Sequence, residues 1–285
     1  MLTHDTALLS DGHGFLECPR WHDGRIWLSD HITDEVKAVA PDGTVELITT
    51  VPGTPSGLGF SPGVGWLIVS MKDRTLLRLD EAGALKLHAD YSAISAGVAN
   101  DMQVHPSGFA WIGTYERLEG RAVPESRLVL VGAEGSVRQT GGALRFPNGM
   151  ALAPGGVLLV AETFGHRITA FDYNAATGEL SNQRPWAELP LKFRPDGIAL
   201  DADGGVWFAN VMTLGDRSGF YRVVEGGEMT DFIPTPGVWA VAPGFGGADF
   251  DELYLCICET DFEKMPRHEG RGSLLVARAG HAGAA

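Results

Sequence analysis

Four residues spread along this chain carry side-chain oxygens that could converge on one point: Glu17, Asn100, Asn148 and Asp196. Two are carboxylates and two are amides, and each stands at the start of the same short pattern. Brought together, they would crowd charge and unpaired amides into a small space, which is costly unless something compensates. A divalent cation does so, because hard ions take several oxygen ligands in a net negative shell. The set therefore predicts one divalent metal ion held by Glu17, Asn100, Asn148 and Asp196. All donors are oxygen, so calcium (Ca2+) is the first choice, with zinc, manganese, magnesium or iron as alternatives. Taken singly, each residue reads as turn chemistry, since Asn-Gly and Asp-Gly pairs are common turn formers. Only their shared register sets them apart.

That register comes from a sixfold repeat. Stretches beginning at Glu17, Ser56, Asn100, Asn148, Asp196 and Gly237 each place an apolar residue four positions on, at Trp21, Phe60, Val104, Leu152, Leu200 and Val241. A turn rich in Gly, Pro or Asp follows, as in Ser61-Pro-Gly63 or Asp201-Ala-Asp-Gly204, and then a second apolar run such as Gly205-Val-Trp-Phe-Ala. Strand, turn, strand is a hairpin signature. Proline precedes four of the starts, as Pro55, Pro147, Pro195 and Pro236, which suits a chain entering a strand from a loop. The starts lie 39 to 48 residues apart. Six units of this period, with Thr75–Leu79, Arg127–Val131, Arg167–Phe171 and Phe220–Val224 as outer strands, predict an all-β, six-bladed β-propeller. The expected organisation is one domain over residues 1–285. Thr6 to Leu9 is expected to pair with the closing Ser273–Ala277 run and so remove a sheet edge.

In such a ring the inner strands line the axis and their first residues meet at one tunnel mouth. The metal is placed there, with Ser56 and Gly237 read as non-ligands. The loop after each second strand returns to that face. A substrate pocket is therefore expected from His31, Met71, Tyr115, Glu116, Phe164, His166, Met212 and Trp239, on loops that comprise Asp30 and His31, Met71, residues 114–116, 162–166 and 210–212, and Glu259. His31 and His166 also read as plain exposed loop histidines. Asp261 to Arg271 is a charged insertion on the same face, read as a lid or a surface loop.

The chain has 285 residues, 44% of them hydrophobic, and a formal net charge of −14. A nucleic-acid partner calls for a basic face, so none is expected. No segment approaches the ~20 apolar residues of a membrane span, and no membrane partner is expected. Met1 to Ser10 has neither a basic region nor a sustained apolar stretch, which argues against a signal peptide. Cys18, Cys256 and Cys258 are odd in number and lack zinc spacing; Cys256 and Cys258 read as small buried hydrophobes. A cytoplasmic location fits this usage.

At Leu16-Glu-Cys-Pro-Arg-Trp, Asn100-Asp101, Gly108 to Thr114, Pro147-Asn-Gly, Ala161-Glu-Thr, Pro195-Asp-Gly and Val206-Trp, the sequence resembles the family of senescence marker protein (regucalcin), gluconolactonase and luciferin-regenerating enzyme. The resemblance covers nearly the whole chain. It implies a six-bladed propeller whose divalent metal is held by Glu17, Asn148 and Asp196, with Asn100 matching a further family asparagine. It also implies hydrolysis of lactones, or of organophosphates in related propellers. Sugar-lactone members often carry an arginine two residues before the Asn-Asp pair; Val98 stands there in this chain. Together with Met71, Phe164, Met212 and Trp239, that favours a less polar lactone or ester. The expected activity is a metal-dependent, gluconolactonase-like hydrolase acting on a small-molecule lactone or ester. Asp196 is the expected general base, and Asn100 is expected to hold the metal or the substrate carbonyl. No Gly-x-Ser-x-Gly elbow offers a serine nucleophile. The alternatives are a phosphoester or organophosphate hydrolase on the same scaffold, or a non-catalytic metal-binding propeller.

Overall fold

The computed structural model describes residues 1–95, 97–116 and 124–284. It shows six sheets set around one axis, each with four antiparallel strands. The innermost strands are Leu16–His22, Pro55–Ser61, Val98–Val104, Pro147–Ala153, Pro195–Leu200 and Trp239–Gly246. The sixfold repeat thus reports six blades, as expected. The described residues contain no α-helix, only a single turn of 3-10 helix at Met265–Arg267.

Six apolar cores account for the ring. Each lies between two neighbouring blades and draws on the faces that alternate along their strands. Cys18, Trp27 and Leu58 join blades one and two; Met102, Leu67 and Val104 join two and three; Trp111, Leu158 and Phe171 join three and four. Leu159, Ile198 and Phe208 join four and five, Trp207 and Leu255 join five and six, and Leu16, Val241 and Cys256 close six onto one. Cys256 and Cys258 are free, buried members of that closing core.

Closure also needs the two ends of the chain. Ala7–His13 pairs antiparallel with Arg271–Ala277, Ala7 opposite Val276, and becomes the outer strand of blade six. The expected closing strand therefore exists and runs four residues further than Leu9. Leu2–Thr3 adds a short parallel strand to blade five, against Asp231 and Phe232, which the sequence pattern did not reveal.

One irregularity recurs in all six blades. The pairing of the two innermost strands slips at the same end: after Glu17, Pro55, Ala99, Pro147, Pro195 and Ala240. A bulge leaves residues out of the ladder and re-aims their side chains. Asn100, Asn148 and Asp196 are all residues freed in this way, and Glu17 is the last paired residue before its bulge. The glycines that follow serve the same crowded end. A Cβ on Gly149 would lie 2.4 Å from the Ile198 amide nitrogen, and one on Gly197 2.4 Å from the Ala242 side chain. Asn148-Gly149 and Asp196-Gly197 are therefore close-approach sites between blades rather than turns.

Candidate functional site

At the bulged end, Glu17, Asn100, Asn148 and Asp196 line one cavity of about 290 Å³. Each is nearly buried, at 4–6% exposure. The amide groups are oriented by hydrogen bonds. Asn100 Nδ2 donates to the Pro147 carbonyl at 3.2 Å, and Asn148 Nδ2 donates to Thr163 Oγ1 at 3.2 Å. Thr163 Oγ1 in turn donates to the Pro195 carbonyl at 2.8 Å, so its lone pair faces Asn148. With their nitrogens so engaged, the two amides have their oxygens left to offer.

The carboxylates are held against their own charge. Burial and the neighbouring Asp196 and Asp101 charges push the Glu17 carboxyl well above the usual range. Burial and Asp101 push Asp196 up likewise, partly offset by an Asn148 hydrogen bond. Asp101 itself accepts from the Met102 amide at 2.6 Å and the Cys18 thiol at 2.7 Å, and it faces Arg20 at 3.5 Å. Cys18 occupies a left-handed backbone position, φ 50°, in the bulge after Glu17. Burial and the Asp101 charge push its thiol up, which keeps it protonated and a donor. Two buried carboxylates and two oriented amide oxygens on one cavity are a donor set that a hard divalent cation satisfies.

Of the residues expected in the pocket, His31, Met71, Tyr115, Met212 and Trp239 line this cavity. Glu116 is exposed and lines a separate groove with Ser95 and Arg127. Phe164 stands behind the wall, edge-on to Phe146 at 5.3 Å. His166 is turned away, its Nδ1 hydrogen-bonded to the Phe193 carbonyl at 2.6 Å. The structure therefore does not bring Glu116, Phe164 or His166 to the cavity.

Asp30, Glu162 and Asn210 have a different role from rim contacts. Each ends a second strand and accepts an amide from the segment entering a site-bearing inner strand. Asp30 takes Gly14 and Phe15 at 2.9 Å, Glu162 takes Arg145 at 2.7 Å, and Asn210 takes Arg194 at 2.9 Å. Lys37 at 2.7 Å and these amides hold Asp30 well below the usual carboxylate range despite its burial. These residues pin the backbone that aims Glu17, Asn148 and Asp196.

Sequence spacing missed Phe15 and Phe146 on the cavity wall; Thr163 and Val211 come from the loops expected there, and Phe262, Met265 and Pro266 from the insertion on the same face. Phe15 and Phe146 stand two positions before Glu17 and Asn148, an offset that could have found them. Tyr115 and Phe146 stack at 4.0 Å. No Lys or Arg is among the described lining residues. Elsewhere Asp201, Asp203 and His281 lie within ligand distance of one another. Asp201 there is engaged by the Arg222 guanidinium at 2.6 and 3.1 Å, which makes that group an ion-pair cluster. No helix among the described residues is long and apolar enough to cross a membrane.

Over 166 residues the chain is 26% identical to regucalcin of Bos taurus, covering 55% of this chain and 53% of that protein. It is 29% identical over 163 residues to pentonolactonase XacC of Haloferax volcanii, covering 55% and 52% respectively. The match thus spans about half the length of these curated relatives. In three dimensions it superposes on a calcium-binding protein, regucalcin, from Agrobacterium tumefaciens with a TM-score of 0.78, 23% identity, and 97% and 96% of the two chains covered. The model of the SMP-30/Gluconolactonase/LRE-like region matches residues 15–259, and the chain belongs to that family.

Proposed function

We propose that the protein is a metal-dependent hydrolase that opens a lactone of low polarity, with Glu17, Asn100, Asn148 and Asp196 holding one divalent ion. The observation that carries this reading is the pair of buried carboxylates, Glu17 and Asp196, facing the same cavity with raised proton affinities. A cation relieves both. Its identity is proposed as calcium, from the all-oxygen donor set. The pentonolactonase among the relatives, and the family itself, support ring opening as the reaction.

When bound, the ion supplies Lewis acidity to the ester carbonyl and lowers the pKa of a water beside it. Asp196, a carboxylate on the cavity wall, takes the proton from the attacking water. Water oxygen adds to the carbonyl carbon, the ring C–O bond breaks, and the proton held by Asp196 returns to the departing alkoxide. Glu17 balances the charge of the centre, while Asn100 and Asn148 orient their amide oxygens toward it. Val98, opposite Tyr115 at the head of blade three, leaves a polyhydroxylated sugar without a cation to grip. The apolar wall of Phe15, Met71, Phe146, Met212 and Trp239 excludes water and favours a less polar ester. Net charge of −14 speaks for a small-molecule partner rather than nucleic acid, and three free buried cysteines fit a reducing compartment such as the cytoplasm.

Metal-stripped protein refilled with single ions and assayed on a panel of lactones tests the proposal. Ring opening should return with the ion and favour apolar lactones. If calorimetry shows the ion bound yet neither lactones nor phosphoesters turn over, the chain is a binding propeller instead.

A further inference from the structure

Four buried side-chain nitrogens among the described residues have no hydrogen-bond partner: Trp27 Nε1, Trp207 Nε1, His31 Nε2 and Trp239 Nε1. Leaving a buried polar group unpaired is costly. Trp27 and Trp207 belong to cores between blades. His31 and Trp239 line the cavity that holds Glu17 and Asp196, Trp239 being also part of the core that closes blade six onto blade one, and they are only 8% and 3% exposed. Burial holds the His31 pKa down at about 4, so its imidazole is neutral near pH 7. One of its ring nitrogens donates and the other accepts, whereas the Trp239 indole only donates.

Their surroundings define a shape. His31 stacks on Phe15 with centroids 5.6 Å apart, and Trp239 meets the edge of Phe262 at 5.4 Å. Both belong to the sector shared by blades six and one. Across the axis, in blades three and four, stand the stacked rings of Tyr115 and Phe146. The cavity is thus bounded by two aromatic walls, with the oxygen donors also on its lining.

A cover lies over it. Residues 261–269 form hydrogen bonds only among themselves and to Thr260 at the neck. Asp261 caps the Glu263 and Lys264 amides at 2.8 Å, and Thr260 Oγ1 closes the neck onto the Glu269 carbonyl at 2.8 Å. Among the described residues, no hydrogen bond ties this segment to another blade. Phe262, Met265 and Pro266 are what it turns toward the cavity. Phe262 meets Trp239, and Met265 packs on the core that contains it.

We propose that Trp239 Nε1 and His31 Nε2 are the substrate-reading pair of this site. They hydrogen-bond one oxygen substituent on the far edge of a flat, otherwise apolar cyclic ester that lies between the aromatic walls. The ester class rests on the hydrolytic reading above; the hydrogen-bonding pair does not. A site built to pair a hydroxyl discriminates against the analogue that lacks it, because its own groups then stay unpaired.

The test uses metal-loaded protein and two aryl-fused six-membered lactams, inert relatives of a lactone, with and without a hydroxyl on the ring edge remote from the amide. Calorimetry should show the hydroxylated lactam binding about tenfold tighter. That ratio should fall toward one in Trp239→Phe and in His31→Phe, and His31→Gln, which keeps a hydrogen-bonding amide, should retain part of it. A wild-type ratio near one, binding of neither lactam, or equal weakening of both lactams in the variants overturns the pair. Should the lactams be discriminated as expected while no lactone is opened, the hydrolytic reading falls and the pair stands. Should lactones be opened but the ratio survive Trp239→Phe, the pair falls and the hydrolytic reading stands.

Discussion

The two ends of the central tunnel are made by the same six strands and differ in almost everything else. At the far end the inner strands turn through hairpins, and Pro19, Pro62, Pro106 and Pro243 line a mouth of about 510 Å³ with Trp21, Phe60, Trp66 and Phe245. No Asp or Glu is among its described lining residues. The bulged end is smaller, about 290 Å³, yet holds two carboxylates and two amides. The larger mouth is therefore not the one where polar groups with raised proton affinities converge. The cause is local. Bulges release side chains toward the axis at one end only, and tight turns consume the backbone at the other. Arg20 bridges the two, lining the far mouth while donating to the Met102 carbonyl at 3.1 Å and facing Asp101 at 3.5 Å.

The contrast can be broken most severely at Asp196. Asp196→Asn should lower kcat by about 10²–10⁴-fold even at saturating metal. Full activity with metal bound would remove Asp196 from the chemistry.

Glu17→Gln should weaken divalent-ion binding at least about tenfold by calorimetry, since a buried carboxylate ligand becomes a neutral amide. The same charge pair sets a pH dependence. Glu17 and Asp196 bind protons more tightly in the folded chain than in the unfolded one. Their contribution to the stability of the metal-free protein is therefore full below the ordinary carboxylate range and is lost as pH rises toward their elevated values. Added calcium should reverse that loss, so the gain in Tm on adding it should grow between about pH 4 and 8. A calcium effect independent of pH would show that these groups do not meet the ion.

Gly149→Ala tests whether the bulge geometry is what aims the site. The new Cβ would press on the Ile198 amide and on the Asp196 carbonyl, 2.4 and 2.7 Å away. A cost of about 1–3 kcal/mol in denaturant titration, together with weaker metal binding, is expected. Loss of stability with unchanged metal binding would detach the bulge from the site.

Val98→Arg restores a cation at the head of blade three and should raise kcat/KM for sugar lactones relative to apolar ones by about 3–10-fold. If the wild type already prefers sugar lactones and the variant changes nothing, the pocket is not the apolar one described. Smallest of all should be Phe60→Ala at the far mouth. Phe60 is 37% exposed and packs on His22 and Trp66. Metal affinity and kcat should stay at wild-type values, with a stability cost of about 1 kcal/mol.

Much of the fold is legible in the sequence because it is written in short range. Trp21, Phe60, Val104, Leu152, Leu200 and Val241 keep a fixed offset from the repeat starts, and Gly and Pro punctuate the turns. A local pattern of this kind fixes where strands begin and how many hairpins there are. Rim residues are less legible. Tyr115 and Phe164 both follow second strands, yet Tyr115 faces the cavity and Phe164 backs the wall. Loop side chains take their direction from what packs beside them, and sequence spacing carries no record of that.

By itself the sequence determined the six hairpins, the period and the register that puts Asn100, Asn148 and Asp196 at equivalent positions, because each depends on neighbours a few residues away; the structure sets Glu17 one place earlier against its bulge and leaves Gly237 before the inner strand of blade six. Only the tertiary structure decided that Cys18 meets Asp101 across 83 positions, that Asp30, Glu162 and Asn210 pin backbone rather than touch the cavity, and that Phe262, Met265 and Pro266 line it. Those contacts join segments far apart in the chain, and their partners are chosen by packing around a closed ring rather than by any local preference.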